Sequence, residues 1–174
     1  MKAYHYTVSD RIASIAKHGI KLSEAGVIPP EKPAVWFSTN PVYEMTALKS
    51  GAKSVQEMEK SGFMPIRYVV DMDMIDWEYH KAYSGIHPVI AQGLEESGRQ
   101  CNANPSEWFA VYEPVKKWLA VEVYHDGEWG ELEEEEMEQL ASQNASLRPP
   151  FDEDLGFGFF FSVEALISLM NRAG

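Results

Sequence analysis

Apolar and polar positions alternate with period two in several short stretches of the chain and recur three and four apart in others. Lys2 to Thr7, with Tyr4, Tyr6 and Thr7, predicts a short strand. Ile12, Ile15 and Ala16 then fall at helical spacing, with Ser9 or Thr7 as the cap, Lys17 and His18 in the last turn, and Gly19 as the left-handed stop. Ile20 and Leu22 bring the chain back to the core. Ser23 to Pro33 reads as a loop, broken by Gly26, Pro29, Pro30 and Pro33, and long enough to hang over a site. Val35 to Ser38 predicts a second strand. Asn40-Pro41 has the form of a helix start, so a helix is expected over Val42 to Lys49, ending near Gly51. Ser54-Val55-Gln56-Glu57 is a capping box and opens a short helix to about Lys60, closed by Gly62.

Ile66 to Met72 reads as a strand, and Asp73 to His80 as a turn or helical segment. Tyr83 to Pro88 is irregular. Pro88 opens a helix expected to reach Glu96 and to close at Gly98, and Glu107 to Val111 is a further strand, bent near Pro114. In Trp118 to Tyr124, Leu119, Val121 and Val123 share one face while Ala120, Glu122 and Tyr124 share the other. Asp126-Gly127 signals a hairpin, with Trp129 resuming the strand. Glu133 to Ser142 is an acidic helix with Met137, Leu140 and Ala141 as its inner stripe. Gln143 to Asp154 is a polar linker, Phe157 to Phe161 an apolar run, and Val163, Leu166, Ile167 and Met170 the inner stripe of a final helix. That last segment is expected to pack on the sheet or to mediate self-association. Strands and helices mix without regular βαβ alternation, so the reading is an α+β fold around a mainly antiparallel sheet, in one domain over 1–174.

Composition narrows the classes. A chain of 174 residues, 45% apolar and with five tryptophans, can build a core without staples. The single Cys101 excludes an internal disulfide and fits a reducing compartment. Lys2 is followed by polar residues rather than an apolar leader, and no run of 18 apolar residues exists to span a membrane. The expectation is a cytoplasmic protein, or one exported without a cleaved signal. The net charge of −12 argues against a general nucleic-acid binder and against anionic membrane surfaces. Six of the eight residues from Glu131 to Glu138 are glutamates, which reads either as a solvated helix face or as an acidic surface for a basic partner.

The usual chemical templates fail. His5, His18, His80, His87 and His125 show no metal-ligand spacing, so no metal is expected. Cys101 has no identifiable histidine partner. Gly156-Phe157-Gly158 lacks both a P-loop lysine and the third glycine of a dinucleotide fingerprint, and there is no Gly-x-Ser-x-Gly elbow. What remains is the end of the second strand. Ser38, Thr39 and Asn40 set two hydroxyls and an amide behind Trp36 and Phe37. Alone they read as turn and cap chemistry. Paired with His5-Tyr6-Thr7, a second short strand with its own following helix, they read as a pocket wall.

These stretches carry a resemblance. His5-Tyr6-Thr7, the helix to His18-Gly19-Ile20, and Val35-Trp36-Phe37-Ser38-Thr39 resemble, in this order, the opening of bacterial ADP-ribosyltransferase-like domains. RNA 2′-phosphotransferases have a related opening. The resemblance covers about the first fifty residues. It implies a split sheet with flanking helices, enclosing NAD, as substrate, in a cleft. His5 would bond a ribose hydroxyl, the backbone beside Tyr6 and Thr7 would read the nicotinamide amide, and Ser38 and Thr39 would hold the nicotinamide ribose. Arg67 would hold a phosphate, or else be a surface strand residue. Loss of nicotinamide leaves positive charge on the ribose, and a fixed carboxylate stabilises it. Glu107 is the first candidate for that catalytic group, Glu113 the second and Glu44 the third. The Ser-Thr end of the second strand departs from the His-Tyr-Glu group and is more like the Arg-Ser-Glu group, and no Glu-x-Glu pair, the usual mark of arginine-directed transferases, stands at a fitting strand end. The expected activity is therefore ADP-ribosyl transfer, its acceptor unspecified, or NAD hydrolysis. The alternatives are a non-catalytic interaction protein with an acidic surface, and an RNA 2′-phosphotransferase-like enzyme, which the net charge of −12 disfavours.

Overall fold

A computed structural model describes residues 1–49 and 51–145 of the chain. Seven strands form one antiparallel sheet: β1 (Lys2–Val8), β2 (Val35–Ser38), β3 (Pro65–Asp71), β4 (Ile75–Asp76), β5 (Trp108–Val111), β6 (Ala120–His125) and β7 (Glu128–Glu131). Their spatial order is β4-β5-β2-β1-β3-β6-β7. Five helices flank them: α1 (Ile12–His18), α2 (Val55–Lys60), α3 (Trp77–Tyr83), α4 (Pro88–Gln100) and α5 (Glu134–Ala145). The α+β reading with an antiparallel sheet therefore holds. No helix among the described residues is long and apolar enough to cross a membrane.

Alternation along the strands sorts the core into layers. Ala3, Val35, Phe37, Ile66, Tyr68, Val70 and Val121 face one side, where Ile12 and Ile15 of α1 and Met137, Leu140 and Ala141 of α5 cover them. The other side carries two separate clusters. Tyr4, Tyr6, Val8 and Val69 pack under Val55 and Met58 of α2. Trp36 and Trp108 pack under Trp77 of α3 and Ile90 and Ala91 of α4.

β1 runs in full register with β3, from Lys2↔Asp71 to Val8↔Pro65. Towards β2 it pairs only at Tyr4↔Ser38. Two halves of the sheet, β3-β6-β7 with β1 and β4-β5 with β2, thus meet at a single rung.

Several local readings are corrected. Val42 to Lys49 does not form a helix; only a 3-10 turn over Met45–Ala47 is present. The reason is tertiary. The Tyr6 hydroxyl donates to the Asn40 carbonyl and the Arg67 Nη1 to the Pro41 carbonyl, so those carbonyls are not left to the amides four residues on. Neither Thr7 nor Ser9 caps α1, which is entered through a 3-10 turn at Ser9–Arg11. Ser54 does cap α2, accepting from Glu57 N at 3.1 Å, but the Glu57 carboxylate accepts from Lys53 N at 2.8 Å rather than from Ser54. Gly98 does not stop α4. It lies inside the helix, where a Cβ would sit 2.6 Å from the Trp108 ring. Leu119 is 66% exposed and precedes β6, whose inner residues are Val121 and Val123. The Asp126-Gly127 hairpin is present, both residues having positive φ (49° and 95°) between His125 and Glu128. α5 runs to Ala145, so the start of the expected linker is helical; the rest of it and the Phe157 to Met170 segment lie outside the described residues.

Candidate functional site

The exit of β2 lies between the two clusters that share one face of the sheet. Ser38 is fully buried there, and its hydroxyl accepts from Asn40 N at 3.2 Å. Thr39 N donates to the Glu107 carbonyl at 3.0 Å. Asn40 closes the corner: its Nδ2 donates to Glu107 Oε2 at 3.1 Å and its Oδ1 accepts from Val42 N at 2.9 Å. Glu107 ends a 3-10 turn, Pro105–Glu107, whose start is capped by the Asn104 side chain, and leads directly into β5. Its carboxylate is half-buried and fixed by an amide 67 positions earlier in the chain.

Beneath this corner lies Glu44, only 1% exposed. Its Oε1 accepts from Thr46 N at 3.2 Å and from Thr46 Oγ1 at 2.8 Å. Burial raises its carboxyl above the usual range, while the two bonds from Thr46 oppose that rise by favouring the charged form. So enclosed a carboxyl anchors the 41–48 segment onto β2 and β5 and cannot itself meet a solute. Glu113, beyond β5, is exposed.

The other predicted residues divide between the faces. Tyr6 shares the face of Ser38, with its ring 4.8 Å from Tyr43 and 5.8 Å from Trp129, and burial raises its phenol. Arg67 shares that face too. Its Nε pairs with Glu122, its Nη1 with the Pro41 carbonyl, and its guanidinium lies 4.4 Å from the Tyr4 ring and 4.3 Å from the Trp129 ring. Far from being a surface strand residue, Arg67 is buried, and its contacts tie β1, β6, β7 and the 41–44 segment together.

His5 and Thr7 face the opposite side. His5 is buried, with its ring 5.9 Å from Phe37 and its Nδ1 2.9 Å from the Trp36 carbonyl. The imidazole thus engages a β2 backbone group at the one-rung junction. The structure therefore brings together Tyr6, Ser38, Thr39 and Glu107, with Arg67 close behind, and sets His5 and Thr7 on the far side of the sheet. A pocket wall shared by His5 and Ser38 side chains is corrected accordingly, for strand alternation turns them to opposite faces.

The sequence marks Asn40 as a helix cap and as one of the polar groups at the exit of β2, but not its hold on Glu107. Nor does it mark Glu122, whose position opposite Arg67 follows from the β3–β6 register. Elsewhere, a groove of about 590 Å³ runs between α5 and the end of β6, lined by Phe63, Met64, Val123, Leu132 and Leu140. At one end of it Glu59, His125 and Asp126 converge and could offer a cation three ligands, with His125 and Asp126 exposed. No family model, no curated protein and no solved structure matches the chain.

Proposed function

We propose that the chain is an ADP-ribosyltransferase-like domain that binds NAD and breaks its nicotinamide–ribose bond, passing ADP-ribose to an acceptor or to water. The observation that carries this reading is the fixing of Glu107 against the Ser38-Thr39-Asn40 turn by the Asn40 side chain at 3.1 Å and the Thr39 amide at 3.0 Å. Bond cleavage at the ribose needs one anionic group held where positive charge develops, on a rigid element and partly screened from water. Glu107 meets those conditions, while Glu44 is too enclosed and Glu113 too solvated. In this reading Glu107 is the catalytic carboxylate, Thr39 and Asn40 frame the nicotinamide ribose, and the buried Tyr6 and Ser38 hold that turn in place through Asn40. His5, catalytic and ribose-binding by the resemblance, acts instead through the β2 backbone, by the bond between its Nδ1 and the Trp36 carbonyl. Arg67, already engaged by Glu122 and Pro41, holds the frame and not a phosphate.

The test is NAD turnover with wild type and Glu107→Gln. The substitution keeps shape and removes charge, and a loss of at least about a hundredfold is expected for a single electrostatic stabiliser. Wild type that neither binds nor turns over NAD would end the reading. Turnover retained by a folded Gln variant would move the catalytic role away from Glu107. A second reading, a non-catalytic protein with an acidic docking face, draws on the exposure of Glu131, Glu133, Glu134, Glu135, Glu136 and Glu138. It calls for salt-sensitive binding of a basic peptide without NAD turnover.

A further inference from the structure

His80 of α3 is 0% exposed, and its ring lies 4.6 Å from the Trp36 ring and stacks on Trp77 at 5.5 Å. Its Nδ1 lies 3.1 Å from the Tyr112 hydroxyl. Its Nε2 has no hydrogen-bond partner among the described residues and faces the Glu31 carboxylate, Oε1 at 3.6 Å. Three separate elements meet here. Glu31 comes from the loop before β2, His80 from α3, and Tyr112 from the residue that follows β5. The loop is seated firmly, with Lys32 N donating to the Ser84 carbonyl at 2.8 Å. Gly85 lets it approach, since a Cβ there would lie 2.6 Å from the Pro30 carbonyl oxygen. Tyr112 is half-buried, and Lys32 Nζ lies 5.5 Å from its ring centroid.

We propose that Glu31, His80 and Tyr112 form a second reactive site, in which Tyr112 is a base-assisted nucleophile for an electrophilic acyl-type group. With the Nε2 proton turned to Glu31, Nδ1 presents its lone pair to the phenol. That is the order of nucleophile, base and orienting carboxylate that activates a weak hydroxyl. Burial, Tyr79 and Glu31 all raise the phenol above its usual value, so the free phenolate is not the reactive form. The proton must pass to His80 Nδ1 as the new bond forms. The resulting imidazolium faces the Glu31 carboxylate, which stabilises it. The tyrosine oxygen bonds to the electrophilic centre and the leaving group departs with its electron pair. Lys32 supplies positive charge at the mouth of the site for an anionic leaving group. Glu31 is a positioning residue, acting through His80.

Phenylmethylsulfonyl fluoride is a suitable probe, since attack forms an O–S bond and releases fluoride. Three tyrosines compete in this neighbourhood: Tyr79 is 51% exposed, Tyr83 is 62% exposed, and Tyr112 is less exposed than either. Exposure alone would label Tyr83 and Tyr79 first. Base assistance reverses that order, with Tyr112 labelled at least about a hundredfold faster, the usual scale of general-base catalysis. Rates are read by peptide mass mapping of the intact chain. His80→Gln is expected to remove the preference. Glu31→Gln is expected to lower the Tyr112 rate about tenfold while the Tyr79 and Tyr83 rates, which report on α3, stay constant. Should His80→Gln fail to fold by circular dichroism, the Glu31→Gln comparison decides alone. Labelling in order of exposure, or a Tyr112 rate indifferent to Glu31→Gln, would overturn the proposal.

Discussion

Replacing Glu44 with alanine would remove the acceptor of both the Thr46 amide and the Thr46 hydroxyl. The hydroxyl can rotate to another acceptor. The Thr46 N–H cannot, and a buried donor left without a partner costs about 1–3 kcal/mol. That sets the expected loss, against a total stability of about 5–15 kcal/mol for a domain of this kind. Urea unfolding measures it. With a slope of about 1–3 kcal/mol per molar, the midpoint moves by about 1 M. Glu44→Gln adds a second readout, because the sign of its pH dependence is fixed. The folded-state carboxyl is raised by burial above its ordinary value of 4.5, so the native chain holds the proton more tightly than the unfolded one. That contribution is complete below the ordinary value and is lost as pH rises through the folded one. Glutamine has no proton to lose. The stability of Glu44→Gln relative to wild type should therefore improve as the pH rises above the ordinary value of 4.5. A cost for Glu44→Ala under about 1 kcal/mol, or a gap between Gln and wild type that stays flat with pH, would refute the buried-anchor account.

Gly98→Ala gains about 1 kcal/mol of helix propensity but drives a Cβ to 2.6 Å from a Trp108 ring that is itself only 1% exposed. Overpacking at about 1–3 kcal/mol should win, giving a lower melting temperature and a changed Trp emission spectrum. Arg67→Ala leaves the Glu122 carboxylate, 19% exposed, without its partner and should cost about 3–5 kcal/mol in denaturant unfolding, with a large part recovered in an Arg67→Met, Glu122→Leu double variant. Glu95 is held down to about 2, first by Lys81 and then by Trp77 and Arg99, so its contribution is present above its ordinary value of 4.5 and lost as pH falls through about 2. Glu95→Gln should lower the melting temperature at neutral pH, and the difference should shrink as the solution is acidified towards pH 2.

The strands were legible because their signal is local. Alternation and strand-forming residues marked β1, β2, β3 and β6, and the Asp126-Gly127 turn fixed the β6–β7 register. The failures share a physical cause, competition from distant groups. Asn40-Pro41 is a sound helix start until Tyr6 and Arg67 take the Asn40 and Pro41 carbonyls. Gly98 looks like a helix stop until the Trp108 ring packs against it. At the candidate corner, the polar exit of β2 and the head of β5 were both visible, yet nothing local shows that Asn40 joins them. The division of His5 from Tyr6 and Ser38 was more accessible. Period-two alternation already turns adjacent strand residues to opposite faces, so His5 and Tyr6 could never share one wall. The family resemblance weighted residue types above that geometry.

The corner owes its rigidity to its position. Tyr6 and Tyr43 press on it from the cluster under α2, and Trp108 from the cluster under α3 and α4. Between them the polar groups are bonded in series: Tyr6 holds the Asn40 carbonyl, Asn40 holds Glu107, and Thr39 holds the backbone of Glu107. A carboxylate fixed through both its side chain and its main chain needs little reorganisation when charge develops near it, which is the property an electrostatic stabiliser requires. On the other face of the same junction, His5 bonds the Trp36 carbonyl, two residues before Ser38. β2 is thus gripped from both sides at the place where its ladder to β1 is reduced to the single rung Tyr4↔Ser38. Side-chain bonds replace the missing ladder bonds there. That arrangement leaves the strand's end fixed in position while its neighbouring β1 edge is not consumed by pairing.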